Sequence, residues 1–247
     1  MEDTVEDPLP TAKITLLLAV TLNEALANTV LFPFVPDMVR RFGYAEEDVG
    51  YYAGLVASAY NLAQLPAGVA WGALSDRVGR APLLAIGVVT LSLSMAALGF
   101  SHSLAAALAA RTAGGLLSGN SGIARAAMRD ITTPSNRSRA FSKIGLSYGF
   151  GFLVGPLLGG APSRPADSFP SRRGTLLDDN PYLLPCLVTT IPGIVSLMLL
   201  RRIPLTPAPA PQHVSTPCAV VSSTELSSSN STTGLSSPRP AATASTS

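Results

Sequence analysis

Residues 71–80 read WGALSDRVGR, an acid, two arginines and two glycines at fixed spacing between two long apolar runs. If those runs are membrane helices, this stretch is the turn that joins them. Gly72 and Gly79 then allow a tight, closely packed turn, Asp76 accepts from backbone N–H groups at a helix N-terminus, and Arg77 and Arg80 anchor one face of the membrane. On physical grounds alone the stretch is a latch between two helices.

The composition supports the premise. Charged residues make up 13% of the 247 and apolar residues 47%, against a charged share of about 25% in soluble domains. The missing charge points to lipid as the solvent. A net charge of +2, with no long basic or acidic run, argues against nucleic acid as a main partner. Cys186 and Cys218 match no zinc or redox spacing, and one lies in an apolar run and the other in a polar stretch. Neither a disulfide framework nor a metal site is expected from them, and no cofactor is expected.

A hydrocarbon core of about 30 Å needs roughly 20 apolar residues as a helix. Six windows approach that length, at 14–35, 50–71, 82–100, 104–124, 144–161 and 182–200. The chain therefore reads as an all-α integral membrane protein with six transmembrane helices in residues 13–202. The first window is a retained helix rather than a secretory signal, because its flank MEDTVEDPLP (1–10) is acidic where a signal needs a basic start.

Short basic loops stay on the cytoplasmic side. With the N-terminal segment 1–12 inside, the inner segments hold Lys13, Arg77, Arg80, Arg125, Arg129, Arg137, Arg139, Lys143, Arg201 and Arg202. The outer ones hold Arg40, Arg41, Arg164, Arg172 and Arg173. The turn at 71–80 is then cytoplasmic, and the sequons at Asn136 and Asn230 face inward and are not glycosylated. Residues 203–247 are rich in Ser, Thr and Pro and hold too few apolar groups to offset the entropy of ordering. They are expected to be a disordered tail.

Polar residues inside a membrane are costly and mark function by default. Glu24 is the clearest. With Thr21 and Asn28 it shares one helical face, which should look into the bundle. Arg111 is the expected partner, as the basic residue deep in the fourth window. At about 1.5 Å per residue, Glu24 lies roughly 15 Å from the inner end of its helix and Arg111 roughly 10 Å from the outer end of its own. In a core of about 30 Å the two depths nearly coincide. Either the two form a structural ion pair, or they face separate grooves, or the pair opens during a cycle and moves protons. Tyr60, Asn61, Gln64 and Asn120 add neutral hydrogen-bonding groups for a substrate cavity, although each alone also serves as interhelical glue.

The stretch GFGFLVGPLLGG (149–160) removes side chains at Gly151, Gly155, Gly159 and Gly160, so a neighbouring helix can approach closely. Pro156 frees a backbone carbonyl and permits a bend. The spacing is wrong for a dinucleotide-binding loop, and no strand precedes it. AGGLLSGNSGIARAA (113–127) repeats the device.

With Gly72, Leu74, Asp76, Arg77, Gly79 and Arg80 in place, residues 71–80 resemble the signature loop of the major facilitator superfamily between helices two and three. Arg111 with Gly115 resembles the family's helix-four motif. Gly151, Gly155, Pro156, Gly159 and Gly160 resemble the helix-five motif of its antiporters. LFPFVPDMV (31–39), VGYYAGLVASAY (49–60) and NPYLLPCLV (180–188) look like the fungal and plant zinc-induced-facilitator-like members of the drug:proton antiporter branch. The match covers residues 10 to 202, with Ala73 and Ala81 where relatives often carry basic residues and Gly114 in place of a common glutamine.

The resemblance implies one six-helix half of a major facilitator fold. It assigns Asp76 and Arg77 to a conformational latch, Arg111 to proton coupling and Gly155–Pro156 to an antiporter hinge. It also implies a multi-pass carrier of small organic solutes and protons, working by alternating access, in the plasma or vacuolar membrane. The chain holds one set of six windows where the family has two. It is therefore expected to be a truncated product or a half that pairs with a second chain or with itself. The alternative is a non-transporting fragment that binds or regulates a full-length relative. An enzyme is not expected: His102 and His213, the two histidines, lie in a short loop and in the tail, and no nucleophile, base and orienting acid converge.

Overall fold

The computed structural model describes residues 10–160 and 180–205, and these form helices and short turns alone. The helices are α1 Thr11–Thr29, α2 Val35–Arg41, α3 Glu46–Val78, α4 Arg80–Gly99, α5 Leu104–Leu116, α6 Asn120–Asp130, α7 Arg137–Gly160, α8 Leu183–Val188 and α9 Thr190–Arg202. Most of the expected N-terminal segment and tail, most of the loop between the fifth and sixth windows, Cys218, His213 and Asn230 lie outside the described residues.

Proline and glycine explain where the windows break. In the first, Pro33 has no N–H to offer the Thr29 carbonyl; Phe32 takes that carbonyl at 3.3 Å instead and α1 ends. In the fourth, the run from Gly114 to Gly119 lowers helix propensity, and residues 117–119 separate α5 from α6. In the sixth, Pro192 cannot donate to the Val188 carbonyl, and the helix is interrupted at Thr189.

The second window runs longer than its apolar core suggests. Glu46, Glu47 and Asp48 occupy the first turn of α3, where the positive end of the helix dipole favours them. The helix then continues through Pro66 to Val78. Gly72 therefore lies inside α3 and makes no turn, contrary to expectation. The turn falls at Gly79 alone, with φ at 102°, a backbone conformation that a side chain would strain.

Among the described residues, three stretches are long and apolar enough to cross a membrane by themselves: Arg80–Gly99, Arg137–Gly160 and Leu183–Arg202. The helices of the other windows are shorter or carry more polar side chains.

Two apolar clusters make the core. One gathers Val30, Leu31, Phe34, Met38, Leu91, Met95, Leu98 and Cys186. The other gathers Leu16, Leu17, Val20, Leu83, Leu84, Val88, Ile123 and Met128. Along α1 the segment between them holds the buried polar residues Thr21, Asn23, Glu24 and Thr29.

α7 packs against α1 along a stripe without side chains. A Cβ placed on Gly155 would strike Thr29, and one on Gly159 would strike the Val30 carbonyl. The close approach lets Thr29 Oγ1 lie 3.0 Å from the Gly151 carbonyl and 2.8 Å from that of Ala25. Gly149, by contrast, faces open space. Gly155→Leu is expected to overpack this contact and lower the thermal midpoint of the detergent-solubilised protein by roughly 5 °C. Gly149→Ala should leave it within about 1 °C; equal midpoints for the two variants would contradict the packing.

Candidate functional site

The cavity and the residues behind it grow from helical spacing. Glu24 and Asn28 stand four apart on α1, Tyr60 and Gln64 four apart on α3, Ser121 and Arg125 on α6, and Tyr148 and Phe152 on α7. Each pair shares a helix face. Glu24, Asn28, Asn61, Gln64, Ser121, Arg125, Tyr148 and Phe152 line a cavity of about 260 Å³.

Glu24 is buried, with 2% of its surface exposed. Gln64 Nε2 donates to its Oε1 at 2.8 Å. The Tyr60 hydroxyl lies 3.5 Å from the same oxygen and 3.0 Å from Ser118 Oγ, so its single proton serves one of them at a time. Oε2 is buried with no hydrogen-bond partner.

The expected Glu24–Arg111 pair does not form. Arg111 is fully buried, and its Nη2 donates to Asn28 Oδ1 at 2.9 Å. Its Cζ sits 4.8 Å from the centre of the Tyr60 ring, a cation–π contact worth up to about 2 kcal/mol when water is excluded. Tyr60 stands between the two charges, its ring face on Arg111 and its hydroxyl toward Glu24. Depth along two helices placed both groups at one level, but the rotation of a third helix decided which of them touch.

The other candidates divide. Asn28, Asn61 and Gln64 line the cavity, while Tyr60 forms a layer behind it. Asn120 does not face the cavity: its amide packs against Gly87 of α4 and is buried without a hydrogen-bond partner. One residue on, about 100° around the helix, Ser121 faces the cavity instead. The charge of Arg125 places it with the inner segments, yet it lines the cavity, acts electrostatically on Glu24 and has no hydrogen bond or ion pair with a described residue. The four-residue spacing of Ser121 and Arg125, and of Tyr148 and Phe152, is the signal that would have found these residues. Among the described residues no group of three or more His, Cys, Asp or Glu is placed to hold a metal ion.

At the far end of α3, Arg80 is the centre of the latch stretch. Its Nε donates to Asp130 Oδ2 at 2.6 Å, its Nη1 lies 3.1 Å from Ser75 Oγ, and its Nη2 lies 3.2 Å from Asp76 Oδ1. Asp76 therefore caps no helix N-terminus. It stands in the last turns of α3, where the helix dipole disfavours a negative charge, and Arg80 compensates it. Arg77 is exposed. Nothing in the sequence marks Asp130, at the end of α6, because no short-range spacing links it to residues 71–80. Nearby, Trp71 Nε1 donates to the Leu116 carbonyl at 2.8 Å, satisfying an acceptor that the end of α5 leaves free.

Pro156 sits inside an uninterrupted α7. Gly160 faces Pro33 at ordinary contact distance.

The family model described as Major Facilitator Superfamily matches residues 17–230. Among curated relatives, the multidrug transporter mfsB of Aspergillus fumigatus is 34% identical over 194 residues, which are 75% of this chain and 32% of that protein. The efflux pump azaK of Aspergillus niger is 33% identical over 74% of this chain and 38% of its own. ZINC INDUCED FACILITATOR-LIKE 1 of Arabidopsis thaliana is 31% identical over 76% and 40%. The chain thus spans about a third to two fifths of the length of these relatives. Among solved structures, the human organic anion transporter MFSD10 (TETRAN) aligns with a TM-score of 0.63 and 25% identity, over 83% of this chain and 51% of that one.

Asp130→Asn is expected to destabilise the protein by ~2 kcal/mol, because it leaves the buried Arg80 short of its closest counter-charge. Asp76→Asn, at a carboxylate 62% exposed, should cost less than about 1 kcal/mol. Thermal unfolding of both variants, with a double-mutant cycle through Arg80→Met, reads the difference; a coupling near zero for Arg80 and Asp130 would refute this account.

Proposed function

This chain belongs to the major facilitator superfamily and is a multi-pass integral membrane protein, and from that premise we propose that it takes part in proton-coupled efflux of small organic solutes by alternating access. Its six windows act as one six-helix half with a cytoplasmic N-terminus, residues 1–12, and a Ser/Thr/Pro-rich tail, residues 203–247. A second half, from the same or another chain, closes the cavity. The names of the multidrug transporter and the efflux pump support the direction of transport.

The observation that carries this reading is the Glu24 carboxyl. It is buried, bound through one oxygen only, and adjacent to a cavity that also holds Arg125. A proton placed on Oε2 displaces no existing contact. Once the proton leaves, the charge is shared between the Gln64 amide and the field of Arg125. Loading and unloading the proton thus changes the electrostatics of the space a solute enters, which is the differential interaction that coupling requires.

The remaining candidates take supporting roles. Arg111, held by Asn28 and the Tyr60 ring, senses Glu24 through the Tyr60 hydroxyl. Asn28, Asn61 and Gln64 supply hydrogen bonds to solute. Arg80, with Asp76, Asp130 and the turn at Gly79, holds the ends of α3, α4 and α6 together as a latch, with Gly72 and Arg77 on its surface. Gly151, Gly155, Pro156, Gly159 and Gly160 let α7 move against α1 as a hinge.

A second reading is a chain that pairs with a longer relative and carries nothing itself. Leu62, Leu65 and Val69 on α3, with Leu153 and Leu157 on α7, are exposed apolar side chains that a partner half can cover.

The native product, reconstituted in vesicles under a pH gradient, should show solute-dependent proton flux. Glu24→Gln should reduce it to the level of empty vesicles, and Tyr60→Phe should lower it in part. Flux that survives Glu24→Gln would remove Glu24 from the mechanism. Co-purification with a longer relative, without flux of its own, would favour the second reading.

A further inference from the structure

On the side of the bundle away from Glu24, α4 and α9 run past each other. Gly193 lies against Val88 and Ser92, and toward the N-terminus of α4 the two helices leave a trough of about 500 Å³. Its α4 wall includes Ala81, Ala85 and Val89, four residues apart and so on one face; Leu197 and Leu200 of α9 stand opposite. The small side chains of Ala81 and Ala85 recess the helix surface there, which is why a trough exists between helices otherwise in contact.

The trough is almost wholly apolar, and Arg201 supplies the charge in its lining. Arg201 is exposed in the last turn of α9 and has no hydrogen bond or ion pair with a described residue. From Ala81 to Val89 the trough follows α4 for about 12 Å, close to the roughly 15 Å of hydrocarbon in one leaflet. An apolar trough close to one leaflet deep, with a guanidinium at its end that no described residue pairs, has the layout of a lipid molecule.

We propose that this trough seats one acyl chain of an anionic glycerophospholipid whose phosphate rests on Arg201. The charge selects the headgroup. An anionic phosphodiester gives the guanidinium a charge-assisted, bidentate partner, whereas a zwitterionic headgroup brings its own cation into competition. The distribution of basic residues puts Arg201 and Arg202 on the cytoplasmic side, the leaflet where anionic lipids concentrate; the proposal rests on that orientation and not on proton coupling at Glu24.

The test is native mass spectrometry of the delipidated, full-length protein, titrated separately with dioleoylphosphatidylglycerol and dioleoylphosphatidylcholine. The anionic phosphatidylglycerol is expected to bind roughly fivefold more tightly, the scale of one basic residue at an anionic surface. Arg201→Gln should erase that preference, and Arg129→Gln, away from the trough, should preserve it. Ala85→Phe fills the channel without altering charge and should weaken both lipids together.

Equal binding of the two lipids by the unaltered protein would overturn the proposal. So would a preference that survives Arg201→Gln, which would locate the headgroup site elsewhere, or binding of both lipids that Ala85→Phe leaves undiminished. A dimer cross-linked through α4 and α9 would assign the trough to a second copy of the chain instead.

Discussion

A carboxyl and a guanidinium lie buried within one bundle, and a single tyrosine keeps them apart. Glu24 and Arg111 would each be expensive to bury alone. Their cost is met locally: Gln64 donates to one, Asn28 accepts from the other, and Tyr60 serves both, with its hydroxyl toward the acid and its ring beneath the base. These contacts tie α1, α3 and α5 together. A direct ion pair would have been a static tie; two charges meeting through a tyrosine leave the Oε2 oxygen of Glu24 unoccupied.

Close packing around that layer depends on residues that lack something. Glycine supplies missing side chains where α7 meets α1, and proline supplies missing donors where the first and sixth windows break. The broken helices raise a second demand, since each break frees backbone groups in a setting with little water to satisfy them. Trp71 answers one such demand at Leu116.

The junction of α3, α4 and α6 shows the same economy with charge. Arg80 reaches Ser75 and Asp76 at the end of α3 and Asp130 at the end of α6, so one side chain gathers three helices. Outside the bundle the pattern reverses. Arg201 borders an apolar trough and has no hydrogen bond or ion pair with a described residue.

The sequence by itself determined the helical, membrane-embedded character of the chain, because hydropathy and length are local properties. It also marked Glu24, Asn28 and Gln64, since helical spacing sorts residues onto faces without reference to other helices. Only the tertiary structure decided the rest. Asn120 and Ser121 are neighbours, yet they point to different helices. Arg125 has the charge of a loop residue and the position of a cavity residue, and Asp130 is fifty residues from the arginine it binds. Arg111 took Asn28 and Tyr60 as partners in place of the acid at its own depth. In each case the deciding quantity is the rotation of one helix against another, set by which small and large side chains interlock between them, and no single helix carries that information.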